Sequence, residues 1–281
     1  MSDWRNRTVF LWTVFERHTA CGAERLWYHT LVFPPSHAHA PTVPTARTPA
    51  PRIRRRPEGL APHYVLLAGL STVALAACAK LGEDVFSSET APFDEPVRNW
   101  FVTHQTVAGD RMFLLASRVG GPSVVIPFSV AVGLWLRGRR GLPIAGTVMI
   151  APATALALFN SIKRLYRRRR PAGAMGHGEK TYSFPSGHSA ASAAVFGTLA
   201  YVLWREKMLP GASACALSVV PPLIIGTSRV YLDVHYATDV LGGWSVGGVV
   251  AAMSALVYER VRTLTREHGV PVGSIRGAKE R

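Results

Sequence analysis

Residues 141–171 read GLPIAGTVMIAPATALALFNSIKRLYRRRRP. From Leu142 to Ile162 no side chain is ionisable; of the next eight residues, six are Lys or Arg. A helix crosses a hydrocarbon core of about 30 Å with about 20 residues, so this stretch reads as a membrane span that ends abruptly in cations. Five further apolar segments of near-spanning length lie on either side: 62–80, 119–136, 187–204, 211–227 and 239–258. Several carry Gly, Ser, Thr and Pro, as spans that pack on one another do. The expected fold class is therefore all-α, a polytopic membrane protein with a six-transmembrane-helix core.

Composition agrees. Hydrophobic residues make up 48% of the 281 and charged residues 17%, a balance that points to the bilayer. The net charge of +15 does not point to nucleic acid, because most cations sit at the ends of apolar runs rather than on one polar domain. Cys21, Cys78 and Cys215 are scattered and odd in number, with neither a disulfide framework nor a metal-ligand spacing. Residues 1–60 contain only a short apolar stretch and then a Pro-, Ala- and Arg-rich segment; they read as a disordered basic tail without a convincing signal peptide. Residues 61–260 form the expected membrane domain, and 261–281 a basic cytoplasmic C-terminal tail. Segment 82–111 is acidic and too polar to span. Within it Phe93, Val97, Trp100 and Phe101 recur at helical spacing, so 93–103 reads as an amphipathic helix at the interface.

Charge sets the orientation. Arginines at 52–56, 137–140, 205 and 260–266 fall on one side of a six-crossing chain, and the positive-inside rule makes that side the cytoplasm. Both termini are then cytoplasmic, in a multi-pass plasma-membrane protein. The cluster at 163–170 falls on the outer face, against the rule. A basic cluster in the wrong place needs a reason other than topology.

Phosphate binding supplies one. Residues 163–171 (KRLYRRRRP), 184–189 (FPSGHS) and 228–239 (SRVYLDVHYATD) all fall at the outer face. Lys163 and Arg170, seven apart, are expected to share one helical face, with Pro171 ending that helix. A guanidinium binds two phosphate oxygens, and Lys163 adds a point charge. Ser186, Gly187 and His188 open the fourth span, where free N–H groups and the helix dipole favour an anion. Arg229 adds a third cation. His235 and Asp239, at i and i+4, are expected on one helical face, the carboxylate holding one ring nitrogen so that the other can attack. His188 then serves the leaving oxygen. Arg164 and Arg167–Arg169 read as headgroup contacts or solvated charges, Asp233 as a local polar contact, His104 and His177 as exposed, and Tyr231 and Tyr236 as interfacial packing.

At these positions the chain resembles the type 2 phosphatidic acid phosphatase superfamily, whose pattern is K-x6-RP, then PSGH, then SR-x5-H-x3-D. Lys163, Arg170 and Pro171 match; so do Pro185, Ser186, Gly187 and His188, and Ser228, Arg229, His235 and Asp239. The resemblance covers residues 61–260. It implies a six-helix core with its site at the outer face, a phosphohistidine intermediate, and no metal or other cofactor. It also implies His235 as nucleophile oriented by Asp239, His188 as general acid, and Lys163, Arg170, Ser186, Gly187 and Arg229 as the phosphate-binding set. The expected activity is hydrolysis of a lipid phosphate or pyrophosphate: phosphatidic acid, phosphatidylglycerophosphate or a polyprenyl pyrophosphate. Transfer of the phosphoryl group to another acceptor is the enzymatic alternative. A lipid-binding or transport protein is the non-catalytic one, and it leaves the His235–Asp239 pairing unexplained. The expected partners are the lipid substrate and membrane lipids, not nucleic acid; the oligomeric state is unknown.

Overall fold

The computed structural model describes residues 62–173 and 181–267. The proposed N-terminal tail, residues 268–281 of the C-terminal tail, and His177 lie outside them. Among the described residues there are eight helices and no strand: α1 (Pro62–Phe86), α2 (Ala91–Thr103), α3 (Val107–Val119), α4 (Pro122–Arg140), α5 (Leu142–Tyr166), α6 (Gly187–Arg205), α7 (Gly211–Tyr231) and α8 (Ala237–Glu267). The last helix continues beyond residue 260, where the sequence placed the end of the membrane domain.

Local sequence sets the boundaries. Pro122 and Pro143 stand in the first turns of α4 and α5, where a missing N–H costs nothing and φ is already helical. Between those helices Gly141 turns the chain at φ 86°, a left-handed conformation that glycine adopts without strain. Ser186 caps α6, its side chain accepting from the Ser189 N–H. Arg167 ends α5 in a left-handed conformation, its N–H bonded to the Lys163 carbonyl.

α6 is the hub, packing on α8, α7, α5 and α4, while α1 packs along α8. Glycines permit the close approach of α8. A methyl on Gly243 would sit 2.5 Å from the Ser186 carbonyl oxygen, and one on Gly247 2.5 Å from that of Ala190.

Four helices, α1, α5, α7 and α8, are long and apolar enough to cross a membrane. α3 and α4, bent by 50° at their break, count as a fifth when joined. Length and composition thus support four or five crossings, not the expected six. The helix in deficit is α6. It is built from Gly, Ala and Ser and buries most of its surface against other helices, so it has little need of the large apolar side chains that face lipid.

The amphipathic helix is present as α2. Phe93 and Trp100, two turns apart, are both more than half exposed, while Asp94 and Arg98 turn inward to ion pairs. α3, not anticipated from the sequence, carries the chain from α2 to α4 and packs on α7.

The two ends of the bundle differ. At one, Arg140 pairs with Glu206 (2.7 Å), which also accepts from the Tyr258 hydroxyl, and Arg205 pairs with Glu259. These contacts gather the ends of α4, α6 and α8. Lys163 lies at the far end of α5, about 32 Å from Leu142 at 1.5 Å per residue, close to the thickness of a hydrocarbon core.

Candidate active site

Three connections meet at that far end. Residues 167–171 leave α5, 181–186 enter α6, and 232–236 join α7 to α8. Ser183 N–H donates to the Arg168 carbonyl (2.8 Å), and Ser186 N–H to the Asp239 carbonyl (2.8 Å). The Lys163 ammonium donates to the carbonyls of Tyr182 and Ser183. Backbone bonds therefore lock together the three segments that the sequence singled out.

Lys163 and Arg170 both belong to this assembly, but not as one helical face. The helix stops at Tyr166, and Arg170 reaches the site from the irregular segment that follows. Its guanidinium donates to the Thr181 carbonyl (2.7 Å), the Val234 carbonyl (2.9 Å) and His235 Nε2 (3.0 Å). His235 likewise precedes α8 rather than sharing a face of it. The i,i+4 contact is nevertheless made, with Nδ1 at 3.3 Å from Asp239 Oδ2. A donor at Nε2 and a carboxylate at Nδ1 place the neutral ring's proton on Nδ1 and leave a lone pair on Nε2.

Asp239 is fully buried and fully bonded. Its Oδ2 accepts from Ser183 Oγ and from Tyr236 N–H (2.9 Å) as well as facing His235. The Tyr236 bond is a first-turn carboxylate reaching back to the residue before the helix, as in a capping box. Oδ1 accepts from Arg168 Nη1 (2.8 Å). Burial pushes the His235 imidazole down to about 3; Asp239 pulls the other way, and the positive charges of Arg170 and Lys163 push it down again. The ring therefore stays neutral through the physiological range.

His188 stands in the first turn of α6, and a methyl on Gly121 would lie 3.5 Å from its Nε2, so the α3–α4 bend closes over it. Arg229, His235, Arg170 and Lys163 are all close enough to act on it electrostatically. Arg229, in the last turn of α7, is buried and donates to Ser117 Oγ of α3. Ser186 is buried and Gly187 begins the helix, so the first N–H groups of α6 belong to this cluster. All eight residues singled out from the sequence thus converge at this end of the bundle.

Three readings change. Arg168 is not a solvated charge: it bridges Asp239 and Asp94 (2.6 Å) and lies over the Tyr236 ring at 4.3 Å. Tyr236 is therefore not merely interfacial. Asp233 is not local, because Arg98 of α2 grips it with two bonds of 2.6 and 2.8 Å. His104 is exposed as expected, and Tyr231 packs against Phe101 and Phe113. Sequence reasoning missed Ser183, Thr238, Thr90 and Asp94. The available signal was Arg168 itself, since an arginine in a buried cluster needs carboxylates and segment 82–111 held them.

A family model described as the PAP2 superfamily matches residues 141–263, which run from α5 into α8. Phosphatidylglycerophosphatase B of Bacillus subtilis is 35% identical over 136 residues, 47% of this chain and 66% of that one. Lipid A 1-phosphatase of Rhizobium etli is 32% identical over 113 residues, 37% of this chain and 45% of that one. Undecaprenyl-diphosphatase of Sulfolobus acidocaldarius is 26% identical over 158 residues, 54% and 71% respectively. The chain thus spans 66% and 45% of the lengths of the first two. The crystal structure of a transmembrane PAP2-type phosphatidylglycerolphosphate phosphatase from Bacillus subtilis superposes with a TM-score of 0.60 at 24% identity. It covers 70% of this chain and 96% of that one, and it shares the fold. With the three motifs gathered at one end of the helical bundle, and the family match running from α5 into α8, residues 141–263 of this chain match the PAP2 superfamily.

Proposed function

We propose that this chain is a membrane phosphatase that hydrolyses a phosphomonoester or pyrophosphate on a lipid through a phosphohistidine at His235. The observation that carries the reading is the environment of that imidazole: Nδ1 faces a buried carboxylate, and Nε2 faces a cationic donor at 3.0 Å. A structural histidine has no need of that polarity. The relatives' names, phosphatidylglycerophosphatase, lipid A 1-phosphatase and undecaprenyl-diphosphatase, support the substrate class.

In the first step the Nε2 lone pair forms a bond to phosphorus and the bond from phosphorus to the lipid oxygen breaks. His188 gives a proton to that oxygen, and the lipid alcohol, or the shorter lipid phosphate, leaves. In the second step His188 takes a proton from water, whose oxygen attacks phosphorus as the N–P bond breaks. Lys163, Arg170, Arg229, the Ser186 hydroxyl and the first N–H groups of α6 hold the three peripheral oxygens. Such positioned charge is the main source of rate in phosphoryl transfer. Arg170 exchanges its bond to Nε2 for a phosphate oxygen when substrate binds.

Counted with the enclosed α6, the helices give six crossings. The end rich in paired arginines is then cytoplasmic with both termini, and the site is on the outer face of the plasma membrane. There a headgroup reaches the cations while its chains remain in the bilayer. The test is phosphate release by detergent-purified protein, with EDTA present, from phosphatidic acid, phosphatidylglycerophosphate and a polyprenyl pyrophosphate. Release from at least one, abolished by His235→Ala while lipid binding persists, supports the reading. Undiminished release by that variant refutes it.

A further inference from the structure

The guanidinium of Arg168 is bonded to two carboxylates and two threonine hydroxyls. Its Nη1 donates to Asp239 Oδ1 (2.8 Å) and Thr238 Oγ1 (2.7 Å), and its Nη2 to Asp94 Oδ2 (2.6 Å) and Thr90 Oγ1 (2.9 Å). Asp94, on α2, is 1% exposed. Besides Arg168 it accepts from the Thr238 N–H (3.0 Å) and hydroxyl (2.6 Å). It thus holds the first turn of α8 immediately beside Asp239. A second tie, Arg98 to Asp233, joins the same face of α2 to the connection that carries His235.

We propose that Arg168 and Asp94 are positioning residues for this reaction, acting through Asp239 on His235 from the side away from the phosphate. The proposal rests on the phosphatase reading above. Formation of the N–P bond gives the imidazole ring positive charge, and Asp239 must be ionised and fixed to stabilise it. A fully buried carboxylate stays so only if both oxygens are met. His235, Ser183 and Tyr236 meet one oxygen, and Arg168 meets the other. Asp94 in turn neutralises Arg168 and sets its plane, because a fork between two carboxylates has one orientation. Lysine has no such fork. α2 thereby becomes part of the nucleophile's support, although none of its atoms is assigned a contact with phosphate.

The test compares wild type with Asp94→Asn, Arg168→Gln, Arg168→Lys and the Asp94→Asn/Arg168→Gln double variant in detergent, with a short-chain phosphatidic acid as substrate. The expected result is a fall in kcat of about 10- to 100-fold for each single variant, with KM within about threefold. Lysine should give no rescue, and the double variant should be no worse than the worse single, because the two residues act in one chain. Asp94→Asn, the isosteric change, decides the matter if Arg168→Gln is not recovered folded. A second readout needs no turnover: the 15N spectrum of the His235 ring should show its proton on Nδ1 in wild type and a tautomer mixture in Asp94→Asn. Wild-type kcat in all three single variants, loss confined to KM, or an unchanged tautomer would overturn the proposal. If wild type releases phosphate from none of the three lipids named above, the phosphatase reading fails and the tautomer measurement still decides the positioning role.

Discussion

Gly243 is assigned no contact with phosphate, yet its substitution by alanine should cripple the enzyme. The added methyl would lie 2.5 Å from the Ser186 carbonyl oxygen, 2.7 Å from Ser189 Cβ and 3.2 Å from the Ala190 nitrogen. Two of the three are backbone atoms of the turn that presents Ser186, Gly187 and His188. Restoring an ordinary 3.4 Å contact from 2.5 Å requires α6 and α8 to separate locally by about 0.9 Å. The same junction carries the Ser186 N–H bond to the Asp239 carbonyl, so the shift moves the phosphate cradle relative to His235. A misplacement near 1 Å costs about 10²-fold in rate, and overpacking costs about 1–3 kcal/mol in stability. The assay is kcat for a short-chain lipid phosphate, with thermal unfolding in the same detergent. The control is Gly248→Ala, whose methyl meets only Ala74 Cβ at 3.8 Å and should leave both unchanged. Activity of Gly243→Ala within threefold of wild type would refute the argument that this contact sets the site's geometry.

Other consequences follow from the same contacts. Asp239→Asn should lower kcat by about 10⁴-fold with intact folding, because an amide cannot accept at both oxygen positions; steady-state kinetics and circular dichroism check this. His235 should remain neutral at pH 5 in a 15N titration, since burial first and then Arg170 and Lys163 hold its pKa below 6.5. A group with a lowered pKa charges only as pH falls through the lowered value, so titration near 6.5 in the folded protein would contradict this. Arg98→Met should cost about 1–2 kcal/mol, less than a fully buried pair, and should lower the unfolding temperature by several degrees. Its effect on kcat should be smaller than that of Asp94→Asn, because Asp233 does not touch the imidazole.

The sequence disclosed what repeats locally. Apolar runs gave most helix positions, and the spacing of Phe93, Val97 and Trp100 gave α2. The motif residues were legible because each cluster stands at a helix end and all lie at one face. What stayed hidden depends on long-range pairing. Asp94 looks like any carboxylate in an acidic segment until α2 folds against Arg168. Arg168 looks like its neighbours until the αL turn at Arg167 directs the chain inward. The expected span at α6 is weak by hydropathy for a related reason. Hydropathy measures affinity for lipid, and α6 is surrounded by protein instead.

The proposed reaction passes through a covalent phosphohistidine at His235. Rapid acid-free quenching of the enzyme during turnover of a 32P-labelled lipid phosphate, followed by peptide mapping, tests it directly. An alkali-stable, acid-labile label is expected on the peptide containing His235, and none in His235→Ala. A label on His188, or turnover with no labelled protein at any quench time, would contradict it.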